Sequence, residues 1–274
     1  MPFTISHAAV ATPFSRILAR WRLLSAVLIG TMVPDFGVFL PWRMHRFETH
    51  SASSLLTFCL PVGLCSYWIF QYLIKTPALE ILPDGAYARW RPYSSPADIG
   101  NLAQWMWAAI GVLAGAVTHL VWDAFTHDNA RGVRMIPWLE DPLVEIGNHH
   151  MVGVHVMQDL SSVIGLAVVV AWVFIGLRRG HDRPIRDRLL RKPERRVWVA
   201  LYTVAVLSLS FVWLWLARGA DPMPRPMHLS VTGVATVIAV AGLRGLASGF
   251  LLVSLALDAR LGALRAMRGA ALPP

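Results

Sequence analysis

Residues 104–127 read QWMWAAIGVLAGAVTHLVWDAFTH. The part from Gln104 to Trp122 is almost wholly apolar and, as a helix, approaches the roughly 20 residues needed to cross a bilayer. Its end carries His119, Asp123 and His127. At i, i+4 and i+8 these three side chains fall on one helix face. Polar groups clustered at the end of so apolar a helix are costly unless something uses them. One stretch thus predicts a membrane helix and a polar site at its end.

The rest of the chain agrees. Of its 274 residues, 55% are hydrophobic and 15% charged, and the mean hydropathy is +0.51. Those values belong to an integral membrane protein. Further apolar runs at 52–74, 161–177, 197–217 and 229–257 bring the expected spans to about five, an all-α polytopic architecture. Two shorter apolar segments, 7–19 and 23–33, meet at Arg20 and Arg22, and Pro34 interrupts the second. They predict an N-terminal helical hairpin that crosses the membrane only in part. The 229–257 run holds Arg244 at its middle and reads as one tilted helix or two shorter pieces. Cys59 and Cys65, six positions apart on nearly opposite faces of one helix, read as small core residues. The opening MPFTISHAAV has no charged region ahead of its apolar residues, so no cleavable signal peptide is expected.

Charge sets the orientation. The formal charge of +9 is concentrated in the loop 178–196, with nine Lys/Arg against three acids, and this points to membrane orientation rather than nucleic acid. By the positive-inside rule that loop is cytoplasmic, which places the stretch 123–160 outside, the loop 75–103 inside and Arg260, Arg265 and Arg268 inside. A membrane crossed several times is the expected location. Two domains are expected: 1–177 with the site, and 178–274 as an accessory region that offers no reactive constellation.

On this topology His7, Asp35, His45, His50, His119, Asp123 and His127 all arrive at the extracytoplasmic face, together with Gln158, Ser161 and Ser162. Helix ends and the following helix starts alternate so that they must. Imidazole and carboxylate suit Zn²⁺ or a similar divalent ion and can leave one coordination position open. Such an ion lowers the pKa of water toward neutrality and offsets charge on a phosphoryl oxygen. Asp123, between two histidines, is placed to bridge two ions. Arg43 and Arg46, in the same loop as His45 and His50, can hold a phosphate through bidentate hydrogen bonds. His149, His150 and His155 read as decoration of the outer loop, while His181 and His228 read as uninvolved. Trp42, Trp105, Trp107, Trp122 and Trp138 read as interfacial belts. No phosphate-binding glycine loop, nucleophile elbow or cysteine ligand set is present in the sequence.

The blocks MPFTISHAA, VPDFGVF, HRFETHS, GAVTHLVWDAFTH and MQDLSSVIGL, in this order, resemble bacterial membrane proteins of the domain of unknown function 4184 family over roughly 1–177. That family brings no activity with it. More remotely, the order H…PD…HRxxTHS…HxxxD is similar to inner-membrane metal-dependent hydrolases of the SOS response, to zinc-dependent phospholipases C and to S1/P1 nucleases. That resemblance implies His119 as a ligand, Asp123 as the bridge, Asp35 and His50 completing one metal, and His7 serving a second. It departs at residue 1, Met1, where the soluble enzymes use a tryptophan amine. Their further HxxxE pair has no clear counterpart, since Glu145 and His149 stand in reversed order.

The sequence therefore gives these expectations. The metal ligands are His7, Asp35, His50, His119, Asp123 and His127, holding one or two divalent ions, zinc above others. Asp123, His45 and Arg46 carry catalysis. The substrate is a membrane lipid or lipid-linked phosphoester or phosphodiester, with no nucleic-acid partner. The rival is a non-enzyme: a structural metal clasp, or an ion or proton relay in a transporter. The apolar centres of 52–74 and 161–177 count against the relay.

Overall fold

The computed structural model describes residues 4–39, 44–98, 100–128, 130–146, 149–178, 188–219 and 231–270, with only the backbone described at 144–146, 149–150, 217–219, 231–236 and 268–270. Arg43, Trp42, His181, His228 and the part 179–187 of the basic loop lie outside the described residues. The protein is all-α and polytopic. Five of its described helices are long and apolar enough to cross a membrane. In chain order the helices are α1 (Ser15–Arg20), α2 (Leu24–Gly30), α3 (Arg46–His50), α4 (Leu55–Ile81), α5 (Asp84–Trp90), α6 (Leu102–Thr126), α7 (Arg131–Arg134), α8 (Gly153–Arg178), α9 (Lys192–Gly219) and α10 (Val231–Ala270).

The expected N-terminal hairpin is present but broken into pieces. Thr4–Ala11 and Val33–Phe39 are 3₁₀ turns flanking α1 and α2. Pro13 and Pro34 explain the breaks, because neither can donate the hydrogen bond a continuing helix needs. The chain reverses at Arg22, whose φ of 58° lies in the left-handed region, an arrangement a non-glycine residue adopts at a cost.

Helix α4 is wider than an ideal helix in two places, Leu55–Cys59 and Phe70–Ile74, where its hydrogen bonds take the i+5 spacing. Each wide turn contains the residue four before a proline, Thr57 before Pro61 and Leu73 before Pro77. The proline ring would clash with that carbonyl in a regular helix, and the wide turn moves it aside. The 229–257 question resolves to one helix, α10, which begins near the expected residue and continues to Ala270. Cys59 is buried, but Cys65 is exposed: Gly63 turns toward Val112 of α6, and Cys65 falls on the other side. The stretch between α7 and α8 also holds an antiparallel β-hairpin, β1 (Pro142–Ile146) with β2 (His149–Val152), beside a small core of Val133, Leu139 and Val154.

The chain forms two compact units, Met1–Trp68 with Ala97–Arg178, and Ile69–Pro96 with Arg179–Pro274. In the first, α6 is the central element and α2 lies against it. Gly30, Gly111 and Gly115 permit the approach: a Cβ at Gly115 would stand 2.6 Å from the Thr31 amide nitrogen. Small residues four apart let membrane helices meet backbone to backbone. Helix α8 packs on the Thr4–Ala11 turn through Gly165, with the Ser6 hydroxyl donating to the Ser162 carbonyl at 2.8 Å.

In the second unit α9 and α10 run antiparallel, with Gly245 and Gly249 against the backbone of Ser210 and Val206 and Leu257 and Leu261 fully buried. Segment 69–96 belongs here. Arg188 donates to Asp84 at 2.7 Å and to the carbonyls of Glu80 and Leu82, and Arg195 reaches Asp84 at 2.9 Å.

Candidate metal centre

The close α2–α6 crossing fixes the first side chain of the site. His119 Nδ1 lies 2.8 Å from the Thr31 carbonyl, which closes α2. A carbonyl only accepts, so Nδ1 carries the proton, and in a neutral ring so held Nε2 keeps its lone pair. That Nε2 is 3.7 Å from Asp35 Oδ1 and 3.6 Å from Asp123 Oδ2. Holding the far nitrogen by a backbone acceptor is how metal-ligating histidines are commonly oriented.

The 3₁₀ turn after α2 brings in Asp35, and the end of α3 brings in His50. His50 Nε2 is 3.2 Å from Asp35 Oδ1 and 3.5 Å from Asp123 Oδ2, while its Nδ1 meets the Thr49 hydroxyl at 2.7 Å. Behind Thr49, the Cys59 thiol of the first wide turn in α4 points at the Thr49 carbonyl, 3.7 Å away. The N-terminal turn brings in His7, whose ring stacks on His119 with centroids 3.8 Å apart. Its Nε2 is 3.6 Å from Asp123 Oδ1, and His127 Nδ1 is 3.5 Å from that same oxygen.

Asp123 thus divides the cluster. Its Oδ2 faces His50 and His119, which also meet Asp35, and its Oδ1 faces His7 and His127. Two sets of donor atoms, His7/His119/Asp123 and Asp35/His50/His119, each lie within 4.8 Å of one another. Separations of 3.2–3.7 Å suit donors around a tetrahedral ion, where bonds of about 2.0–2.1 Å give edges of roughly 3.3–3.4 Å.

The polar atoms also lack ordinary partners. His7 Nε2, His119 Nε2, Asp123 Oδ1 and His127 Nε2 are buried with no hydrogen-bond partner among the described residues. Buried polar atoms left in that state are costly, and a cation among them would satisfy all but His127 Nε2. Burial first, then the neighbouring His119, lowers the His7 pKa to about 4. Burial likewise lowers His127 to about 4. Both rings are therefore neutral near pH 7, the state a ligand requires. Burial pushes the Asp35 carboxyl up, but the His50 hydrogen bond and the nearby His119 outweigh it and hold the pKa below its usual value.

Arg46 enters from the edge. Its guanidinium Nη2 donates to Asp123 Oδ2 at 2.6 Å, yet 44% of the side chain is exposed. It is the cationic contact between the cluster and the surroundings.

A sequence model described as Domain of unknown function (DUF4184) matches residues 1–255. The chain belongs to this family. The match runs past the site-bearing part and through most of α10. No curated protein and no solved structure matches the chain.

In this DUF4184 chain the structure brings together His7, Asp35, His50, His119, Asp123 and His127, with Arg46 at their edge. His45 it places elsewhere: an exposed residue at the start of α3, with its backbone N–H held by Glu48 at 2.7 Å. Arg43 is outside the described residues. Ser161 and Ser162 serve packing, the first accepting from the Trp122 indole at 3.4 Å, the second meeting Ser6 through its carbonyl. His155 forms an exposed pair with Asp128 at 3.1 Å. The residue that sequence reasoning missed is Thr31. It acts through its backbone, and the signal that points to it is the pair Gly111 and Gly115, which mark where α2 must touch α6.

Proposed function

We propose that this DUF4184 chain is an integral-membrane, metal-dependent hydrolase. Its site opens to the extracytoplasmic side of the bacterial inner membrane, and its substrate is a phosphoester or phosphodiester in a lipid or lipid-linked molecule. The observation that carries the reading is Asp123, whose two oxygens face two separate sets of imidazoles at the end of a membrane helix. The His/carboxylate donor set suits zinc, in one or two ions. When bound, such an ion acidifies a water and offsets charge on the phosphoryl group.

The chain's own residues have distinct parts. Asp35 and Asp123 supply the negative charge that retains cations. Thr31 holds His119 in the ligating tautomer. Arg46, already half in the open, is placed to take a phosphoryl oxygen in its planar fork. Phe47 of α3 and Trp122 and Phe125 at the end of α6 are exposed, a rim suited to headgroup depth. The resemblance to zinc-dependent phospholipases C supports the same reaction class. Among the described residues, the buried face of α6 beneath the cluster is Ala116, Gly115, Val112, Gly111 and Ala108. That apolar path offers nothing to a proton or ion relay.

The deciding experiment is metal analysis of the purified full-length protein beside Asp123→Ala and His119→Ala, followed by a hydrolysis screen on phospholipids and nucleotide diesters. The expected result is stoichiometric zinc in the wild type, lost in both variants, with a lipid among the cleaved substrates. Wild type without metal, or variants that keep it fully, would end this reading.

A further inference from the structure

At the other end of α6 the first unit carries a second feature, with different chemistry. Phe14, Ile17 and Trp21 are 57%, 61% and 63% exposed. Their spacing of three and four puts them on one face of α1 and its flanks. Arg16 and Arg20, both exposed, fall on the adjoining face, beside Ile17, and the exposed Arg22 follows at the chain reversal. No acidic residue precedes Asp35 in the sequence; beside the corner stands Asp98, whose amide donates to Gln104 Oε1 at 3.0 Å. Next to Arg22 is a recess of about 260 Å³ lined by Trp21, Leu23, Asn101, Gln104 and Trp107. The Trp21 and Trp107 rings meet edge to face at 6.5 Å.

Its depth relative to the metal cluster identifies the surroundings. Gln104 and Asp123 stand on the same continuous helix, 19 residues apart, or about 28 Å at 1.5 Å per residue. The hydrocarbon core of a bilayer is about 30 Å thick. A cluster at one membrane surface therefore places the α1 corner at the other, at headgroup depth. A short segment with an apolar face, an arginine face and tryptophans is what lies in that interface plane.

We infer that the α1–α2 corner is a binding site for an anionic phospholipid. Arg16, Arg20 and Arg22 hold the headgroup phosphate, and the acyl chains run along Phe14, Ile17, Trp21 and Trp107. The occupant is a lipid rather than a free anion, because the charges border a wide apolar face that only a lipid covers. The corner is separate from the metal cluster and does not depend on its chemistry.

The test uses the full-length protein in mild detergent, with retained lipid counted by native mass spectrometry while phosphatidylglycerol competes with phosphatidylcholine. Each arginine near an anionic surface is worth roughly fivefold in partition. The variant Arg16→Gln/Arg20→Gln/Arg22→Gln is thus expected to lose about a hundredfold of the wild-type preference for phosphatidylglycerol. Trp21→Ala is expected to weaken both lipids alike and leave their ratio unchanged. Should the triple variant fail to fold, Arg16→Gln alone must shift the ratio about fivefold. An unchanged ratio in the arginine variants overturns the inference. So does full displacement of phosphatidylglycerol by millimolar inorganic phosphate, which would mark a site for a free anion.

Discussion

Substituting Gly115 by alanine tests whether helix packing controls the ligand state of His119. The new Cβ would stand 2.6 Å from the Thr31 amide nitrogen and closer still to the Val27 carbonyl oxygen, where ordinary contact begins at 3.4 Å. Both partners are backbone, so relief requires α2 and α6 to part by about 1 Å, and interiors accommodate such shifts poorly. The His119–Thr31 hydrogen bond, 2.8 Å in the structure, would lengthen to about 3.8 Å and cease to be one. His119 would then be free to place its proton on Nε2. Loss of such an orienting partner costs roughly 10–100-fold in metal affinity. The assay is competition for zinc with a chelator of known affinity, on full-length Gly115→Ala beside Gly111→Ala. At Gly111 the added Cβ would meet the Ala26 methyl at 3.0 Å, a softer contact one turn further from the cluster. The expected result is a 10–100-fold loss for the first and a smaller one for the second. If Gly115→Ala loses thermal stability but binds zinc as tightly as wild type, the tautomer argument is wrong.

Other expectations concern single residues. Arg46→Gln should keep its metal yet hydrolyse on the order of a hundredfold more slowly; metal lost along with activity would make Arg46 a structural partner of Asp123 only. In the second unit, Arg188→Ala leaves Glu80 buried without its cation and removes a donor from the Glu80 and Leu82 carbonyls, the second of which keeps Arg195. A destabilisation of about 3–5 kcal/mol is expected in denaturant unfolding, and a loss under 1 kcal/mol would assign that ion cluster no structural weight. His127, with its pKa depressed to about 4 from an ordinary value near 6.5, takes up a proton more readily unfolded than folded between those limits. Its presence therefore costs stability as pH falls from about 6.5 to about 4. In chelator-treated protein the thermal midpoint of His127→Gln should gain on wild type over that window, and a constant gap would contradict the burial that causes the shift.

The fold was largely legible because hydrophobic length is a one-dimensional signal. The five long apolar runs became helices, and the errors among them lie at the ends, where polar flanks such as Lys75–Ile81 and Gly153–Leu160 continue helices that the membrane criterion stops early. The meeting of His7, Asp35 and His50 with the α6 residues was also legible, since an up-and-down topology forces alternate helix ends to one side. Three things were not. The break in the first hairpin depends on Pro13, which lies inside the run 7–19 and which apolar length alone does not register. The place of His45 depends on the register of a five-residue helix, where one residue turns a side chain by about 100°. The Thr31 carbonyl carries no side-chain label at all.

The two wide turns of α4 bear on how the family is to be aligned. Each holds one residue more than a regular helix would use to cover the same rise, and each is tied to a proline four positions after its middle or last-but-one residue. Relatives without Pro61 have no steric reason to keep the widened turn at Leu55–Cys59. They are expected to align with a one-residue deletion there, inside a membrane span, where gaps are ordinarily disallowed. An alignment that forbids such gaps would rotate everything after Cys59 by about 100° and set Gly63 against lipid instead of against Val112. Proline and gap should therefore covary across the family, a record of the helix written in insertions rather than in substitutions.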